Sequence, residues 1–244
     1  MLSKSQIKLI TSLKQKKYRQ QYKLFVAEGK KTILELLQSN LQLHQLYTTM
    51  LEFDVLDDLM TQISNTELKK ISFLKSPNTA LAVFEIPNET SIDFSKLVVA
   101  LDDVRDPGNL GTIIRLCDWF GVKDLICSYE TVDCYNPKVI QATMGSITRV
   151  NVSYIDLKQV LQIQKAEVFG AFMDGENVYE SKLPNSGILV LGNEANGICH
   201  DIESQVTKRI SIPRFGELQA TESLNVANAT AILLSEFKRR SIEM

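Results

Sequence analysis

"LVVALDDVRDPGNLGTIIRLCDWFG", residues 97–121, reads as an apolar strand, a tight turn and a helix in immediate succession. Leu97–Leu101 is a short continuous apolar run, the pattern of a strand buried on both faces. Asp106-Pro107-Gly108-Asn109 ends it: the Pro-Gly pair makes the turn, and Asp106 or Asn109 can cap the helix that follows. Leu110, Ile113, Ile114 and Cys117 then recur at helical spacing and should face a core. Arg115 lies beside that stripe, so its guanidinium emerges at the helix edge. A helix start with unsatisfied N–H groups next to an arginine suits an anion such as a nucleic-acid phosphate. The same residues also make an ordinary turn followed by a surface arginine.

Working outward, the apolar strand pattern returns at "DLICS" (124–128), "VFGAF" (168–172), "ILVLG" (188–192) and "RISI" (209–212). Helical segments intervene, among them "PKVIQATMG" (137–145) and "LKQVLQIQ" (157–164). Short buried strands alternating with helices imply a parallel sheet covered on both faces, an α/β domain over 97–244. Upstream, the chain reads as a basic helix to about Gln21, then "KLFVAEG" as a strand, "KKTILELLQS" as a helix and "QLYTT" as a strand. "DVLDDLMTQI" and "TELKKIS" read as two further helices and "ALAVFEI" as a third strand, which makes a small α/β unit over 1–88. The polar stretch "PNETSIDFSK" (87–96) is the linker.

The 244 residues are 44% hydrophobic and 23% charged, enough apolar material for a normal core. A formal net charge of −2 argues on average against a nucleic-acid partner, but the average conceals a local excess. Before residue 32 stand Lys4, Lys8, Lys14, Lys16, Lys17, Arg19, Lys23, Lys30 and Lys31 against the single acid Glu28. A solvated basic helix or a phosphate-binding face both fit that cluster. Cys117, Cys127, Cys134 and Cys199 form no C-x-x-C pair and read as reduced thiols of a cytoplasmic protein. No apolar run is long enough for a membrane span, and no leader pattern opens the sequence. A G-x-G-x-x-G after the first strand, a Walker A motif and H-E-x-x-H are all absent, and His44 and His200 are the only histidines. A dinucleotide site, a histidine-rich metal centre and a Ser-His-Asp triad therefore lack support, and no metal is expected.

Two more segments carry chemistry. In "ILVLGNEANGI" (188–198) a buried strand runs out into glycine-rich loop, where the backbone can approach a ligand at the carboxyl end of a parallel sheet. In "ISIPRFGELQATESLNVANATAILLSE" (210–236) a strand ends at Ile212-Pro213 and an irregular loop follows. Ser223-Leu224-Asn225 then opens a helix that is apolar nearly all round, as buried and interface helices are.

Taken together, the three segments resemble the SpoU (TrmH) family of RNA ribose methyltransferases. The family's first motif is matched by Asn109, Gly111, Arg115 and Phe120-Gly121, its second by Gly192, Glu194 and Gly197. Its third is matched by Ile212-Pro213 and Ser223-Leu224-Asn225-Val226. The amino-terminal part resembles, through its pattern and "FVAEG", the ribosomal-L30e-like RNA-binding domain that many members carry. The resemblance implies a deep trefoil knot of the SPOUT type in the carboxyl-terminal domain, an exception to the usual unthreaded connections. It implies S-adenosylmethionine as cofactor, held by Gly192, Ile212 and Leu224 with Phe172 and Gly145 nearby. Arg115, Asn109, Glu194, Ser223 and Asn225 take the catalytic roles by position, and Lys14, Lys16, Lys17, Arg19, Lys30 and Lys31 are the expected RNA contacts. The implied product is a 2′-O-methylated ribose in ribosomal RNA, with transfer RNA, or a non-catalytic RNA-binding member of the same fold, as the alternatives. A base methyltransferase of the same fold is a further rival, disfavoured by the S-L-N segment. A homodimer through the knot region and last helix is the implied assembly. The loop from Gly216 to Glu222 is longer than in the commonest members, which bears on its conformation and on substrate choice.

Overall fold

A computed structural model describes residues 1–216 and 223–242, the last three of these by backbone alone. The chain forms two compact units by contact, Met1–Glu89 with Asp133–Thr148, and Thr90–Val132 with the chain from Arg149 onward.

The first unit opens with helices α1 (Lys4–Ser12) and α2 (Lys16–Tyr22), followed by β1 (Leu24–Glu28), α3 (Lys30–Leu37), β2 (Leu43–Thr48), β3 (Met60–Gln62), α4 (Asn65–Ile71) and β4 (Ala80–Glu85). Its sheet runs β1-β4-β2-β3; β4 is antiparallel to both neighbours and β3 is parallel to β2. The helix expected over "DVLDDLMTQI" does not form. Asp57–Leu59 makes one 3-10 turn, and Met60–Gln62 pairs with Leu46–Thr48 instead, because an edge position beside β2 outweighs local helical spacing. "FVAEG" has a structural explanation: the Glu28 carboxylate accepts from the Phe73 amide at 2.8 Å and from the Ser72 hydroxyl, tying β1 to the end of α4. Gly29 turns at φ 89°, which a residue with a Cβ resists.

Residues 133–148, within the stretch read as the second domain, pack with the first unit. Their helix α6 (Pro137–Thr143) lies against β1, and the Tyr135 ring sits 4.9 Å from that of Phe25. Gly145 explains itself here: at φ 96°, a Cβ on it would stand 2.7 Å from the Cβ of Glu35 on α3.

The second unit contains β5 (Leu97–Leu101), α5 (Pro107–Trp119), β6 (Asp124–Cys127), β7 (Asn151–Tyr154), α7 (Leu157–Ile163), β8 (Val168–Asn177), β9 (Gly187–Leu191), α8 (His200–Glu203), β10 (Lys208–Ser211) and α9 (Val226–Ile242). All pairings are parallel, in the order β10-β8-β9-β5-β6-β7. The parallel α/β sheet is thus as expected, with β7, too short and half-polar to read as a strand in sequence, added at the edge. Central β5 and β9 are buried along their whole length. On α5, Leu110, Ile113, Ile114 and Cys117 are all fully buried. Each aliphatic side chain so placed contributes about 1.5–3 kcal/mol. Among the described residues no helix is long and apolar enough to cross a membrane.

Candidate active site

The site begins where β5 ends. Asp102 is buried and accepts the Cys199 amide at 2.7 Å, which holds the start of α8 beside the β5 terminus. Asp103 follows at φ 57°, its amide bonded to the Ser128 hydroxyl at 3.0 Å. Asp106 is the N-cap of α5 and accepts the Asn109 amide at 2.8 Å, with Pro107 in the first turn, where its missing N–H costs nothing. Asn109 is therefore held at its backbone, and its side chain is used elsewhere.

That side chain joins all three sequence segments. Asn109 Nδ2 donates to Glu194 Oε1 at 2.7 Å, and Asn109 Oδ1 accepts from Asn225 Nδ2 at 2.8 Å. Asn225 in turn caps α9, its Oδ1 accepting from the Ala227 and Asn228 amides at 2.9 and 3.3 Å. The result is a directional relay, Asn225 to Asn109 to Glu194, in which every member has a fixed donor or acceptor sense.

Glu194 lines a cavity of about 1100 Å³. Gly192, Ile212, Leu224, Phe172 and Ser223 line the same cavity, so sequence-predicted residues from three separate loops share one wall system. A Cβ on Gly192 would stand 2.1 Å from the Gly197 carbonyl carbon, so only glycine permits this approach. The loop beyond it closes on itself through reciprocal bonds of 2.9 Å between Asn193 and Gly197. Asn193, not singled out in the sequence, organises the loop. Its Oδ1 accepts the Ala195 and Asn196 amides at 2.9 and 3.1 Å, and its Nδ2 donates to the Asp103 carbonyl at 2.7 Å. The signal was legible in principle: an asparagine two residues before the next small residue is an Asx-turn former. Leu191, Ile198, Ile210 and Leu233 make the cavity largely apolar, and Leu224 is 48% exposed at its mouth. An apolar slot bounded by glycine backbone and a few convergent polar groups is the shape of a small-molecule site.

Two expectations are corrected. Gly145 does not line this cavity; it belongs to the first unit, where it allows α6 to close on α3. Arg19 is not available to RNA. It is only 2% exposed, its Nε donates to Asp133 at 2.8 Å, and its Nη1 donates to the Leu13 and Lys14 carbonyls at 2.7 and 2.9 Å. A buried guanidinium needs such partners, and the basic run conceals one structural arginine among surface lysines. Lys14, Lys16, Lys17, Lys30 and Lys31 are exposed, with Lys17 over the Tyr18 ring and Lys30 paired with Glu52.

Arg115 is exposed on α5, six residues after Asn109 and so about 9 Å further along the axis. No hydrogen bond or ion pair engages its guanidinium among the described residues, and it is not part of the cavity wall. The segment 217–222, where the long loop falls, lies outside the described residues.

Residues 96–235 match the model of the SpoU rRNA Methylase family, and residues 4–82 that of an MRM3-like substrate binding domain. Over 231 residues the chain is 30% identical to the 23S rRNA (guanosine(2553)-2'-O)-methyltransferase RlmP of Bacillus subtilis, covering 90% of each chain. It superposes on a TrmH-family protein of Porphyromonas gingivalis with a TM-score of 0.89 at 38% identity, covering 98% of this chain and 99% of that one. An AdoMet-bound rRNA methyltransferase from Sinorhizobium meliloti gives a TM-score of 0.85 at 26% identity, over 98% and 97% of the two chains.

Proposed function

The chain belongs to the SpoU rRNA methylase family, and on that premise we propose that it methylates a ribose 2′-hydroxyl of ribosomal RNA using S-adenosylmethionine. The observation that carries this reading is the Asn225–Asn109–Glu194 relay, which closes three distant segments onto one apolar, glycine-bounded cavity. S-adenosylmethionine, when bound, supplies a methyl group already activated on a sulfonium. The residues present fit it: Gly192 admits close backbone approach, and Ile212, Leu224 and Phe172 supply apolar surface.

With the donor already activated, the protein's task is to position a weakly acidic hydroxyl and ease its deprotonation. Glu194, oriented by Asn109, accepts a hydrogen bond from the nucleotide, and Ser223 at the same wall offers a hydroxyl to it. A guanidinium holds its protons and cannot act as a base, so Arg115 needs another role. It serves as a cation, binding the RNA phosphate and stabilising negative charge that develops on the ribose oxygen. Among the described residues no carboxylate pairs with it, which supports that role. Lys14, Lys16, Lys17 and Lys31 give the first unit a phosphate-attracting face.

The domain boundaries at 1–88 and 97–244, the threaded chain, the homodimer and cytoplasmic residence belong to the same proposal. Threading is supported by membership of the SpoU family, whose resemblance implies it. The dimer is supported by α9, whose outer face sets the apolar Ala231 and Ile232 between the polar Asn228 and Ser235, all partly or fully exposed. Sedimentation equilibrium should give twice the chain mass; a monomer at micromolar concentration would remove the dimer from the proposal.

The decisive experiment pairs labelled methyl transfer to total RNA with cofactor titration. Arg115→Ala should lower turnover about 10²–10³-fold while leaving S-adenosylmethionine affinity within about twofold. Equal loss of both would make Arg115 structural. Mapping 2′-O-methyl sites in ribosomal and transfer RNA, with and without the protein, identifies the substrate.

A further inference from the structure

β8 leaves its ladder in the middle. Phe169 and Gly170 pair with Lys208 and Arg209, but the next pairs are Glu176 with Ile210 and Asn177 with Ser211. While β10 advances one residue, Ala171–Gly175 loops out of the sheet, and Ala171, Phe172 and Met173 from this excursion line the cavity. Glycines bound it for steric reasons. A Cβ on Gly170 would lie 2.4 Å from the Phe172 ring, and one on Gly175 would lie 2.5 Å from the Ile210 carbonyl carbon.

An excursion of this kind should be loose, yet it is clamped at one point. The Arg209 guanidinium lies over the Phe172 ring with its carbon 3.6 Å from the centroid. The same guanidinium is held by Asp174, inside the excursion, and by Glu203 on α8. Two carboxylates thus fix the plane of the cation, and the cation covers one face of the ring. The ring also packs on the core cluster that contains Val168, Val190 and Ile198. Planarity is the requirement: a lysine could satisfy the carboxylates but would present no flat face.

We propose that Arg209 is a positioning residue for the cofactor, fixing Phe172 as a preformed wall of the S-adenosylmethionine pocket. The inference rests on the reading of this cavity as the S-adenosylmethionine site. A ring held before binding does not have to be ordered by the ligand, so affinity is gained without a new contact.

Calorimetric titration of the full-length chain with S-adenosylmethionine tests it. Arg209→Lys should weaken binding about three- to tenfold, and Phe172→Ala at least as much. In the Phe172→Ala background, Arg209→Lys should cost nothing further, since the ring it holds is gone. In turnover assays Arg209→Lys should raise KM for S-adenosylmethionine and leave kcat and the KM for RNA unchanged. A wild-type chain that does not bind S-adenosylmethionine would overturn the functional reading itself. A wild-type chain that binds, with an Arg209→Lys variant binding equally well or with fully additive losses in the double variant, would overturn only the role of Arg209. If Arg209→Lys does not fold, Glu203→Gln replaces it, loosening one anchor with the guanidinium retained, and the same weakening is expected.

Discussion

At Gly192 a methyl group has no room. The Cβ position is 2.1 Å from the backbone of Gly197, and backbone closed by two reciprocal hydrogen bonds cannot retreat. Gly192→Ala should therefore destabilise the second unit by about 1–3 kcal/mol and abolish cofactor binding, measured by thermal unfolding and calorimetry. An alanine variant that binds normally would show that the loop is not the cofactor's backbone cradle. Residues of this kind were legible in the sequence because the motif spacing is local: Gly192, Glu194 and Gly197 fall within one turn of chain. The turn at Asn193 was readable in principle, but its bond to Asp103, far upstream, was not, nor was Arg209, whose significance lies in Phe172 on the neighbouring strand. Arg19 failed in the opposite direction. Nothing in a run of lysines marks the one cation that turns inward to meet Asp133.

Caps decide elements here as much as apolar periodicity does. α1 and α4 both start with capping boxes, Ser3 with Gln6 and Ser64 with Glu67. Glu67 also accepts the Leu2 amide at 2.8 Å, and bonds from the Ser64 amide, the Leu2 amide and the Ser64 hydroxyl lower its pKa to about 2. A carboxylate depressed below its ordinary value contributes stability above that value and loses it as pH falls through its folded pKa. Unfolding of the wild type should therefore become easier between about pH 4.5 and 2, with a shallower dependence in Glu67→Gln, followed by circular dichroism across that range. Identical pH profiles would remove Glu67 from the acid response. Elements with strong local signals, such as β5, α5 and β9, were readable in advance. β3 and β7 were not, since each is a short half-polar edge strand defined by the neighbour it pairs with.

Seen whole, the molecule divides by contact rather than by sequence order. A linear reading places one boundary in the polar stretch after Ile86, and it cannot see that Asp133–Thr148 packs with the first unit. Arg19 and Asp133 form the ion pair that marks this return, with side chains 2% and 13% exposed. Arg19→Met should cost about 3–5 kcal/mol, because it strands a mostly buried carboxylate; chemical denaturation reads the loss, and an unchanged midpoint would show the pair to be dispensable. The return also has a temporal side. During synthesis the amino-terminal unit has its own strands in hand once residue 89 has left the ribosome, but the face of Phe25 stays uncovered until residue 148 emerges, about 3–12 s later at ordinary elongation rates. For that interval the nascent chain exposes an apolar surface for which a chaperone is the natural caretaker.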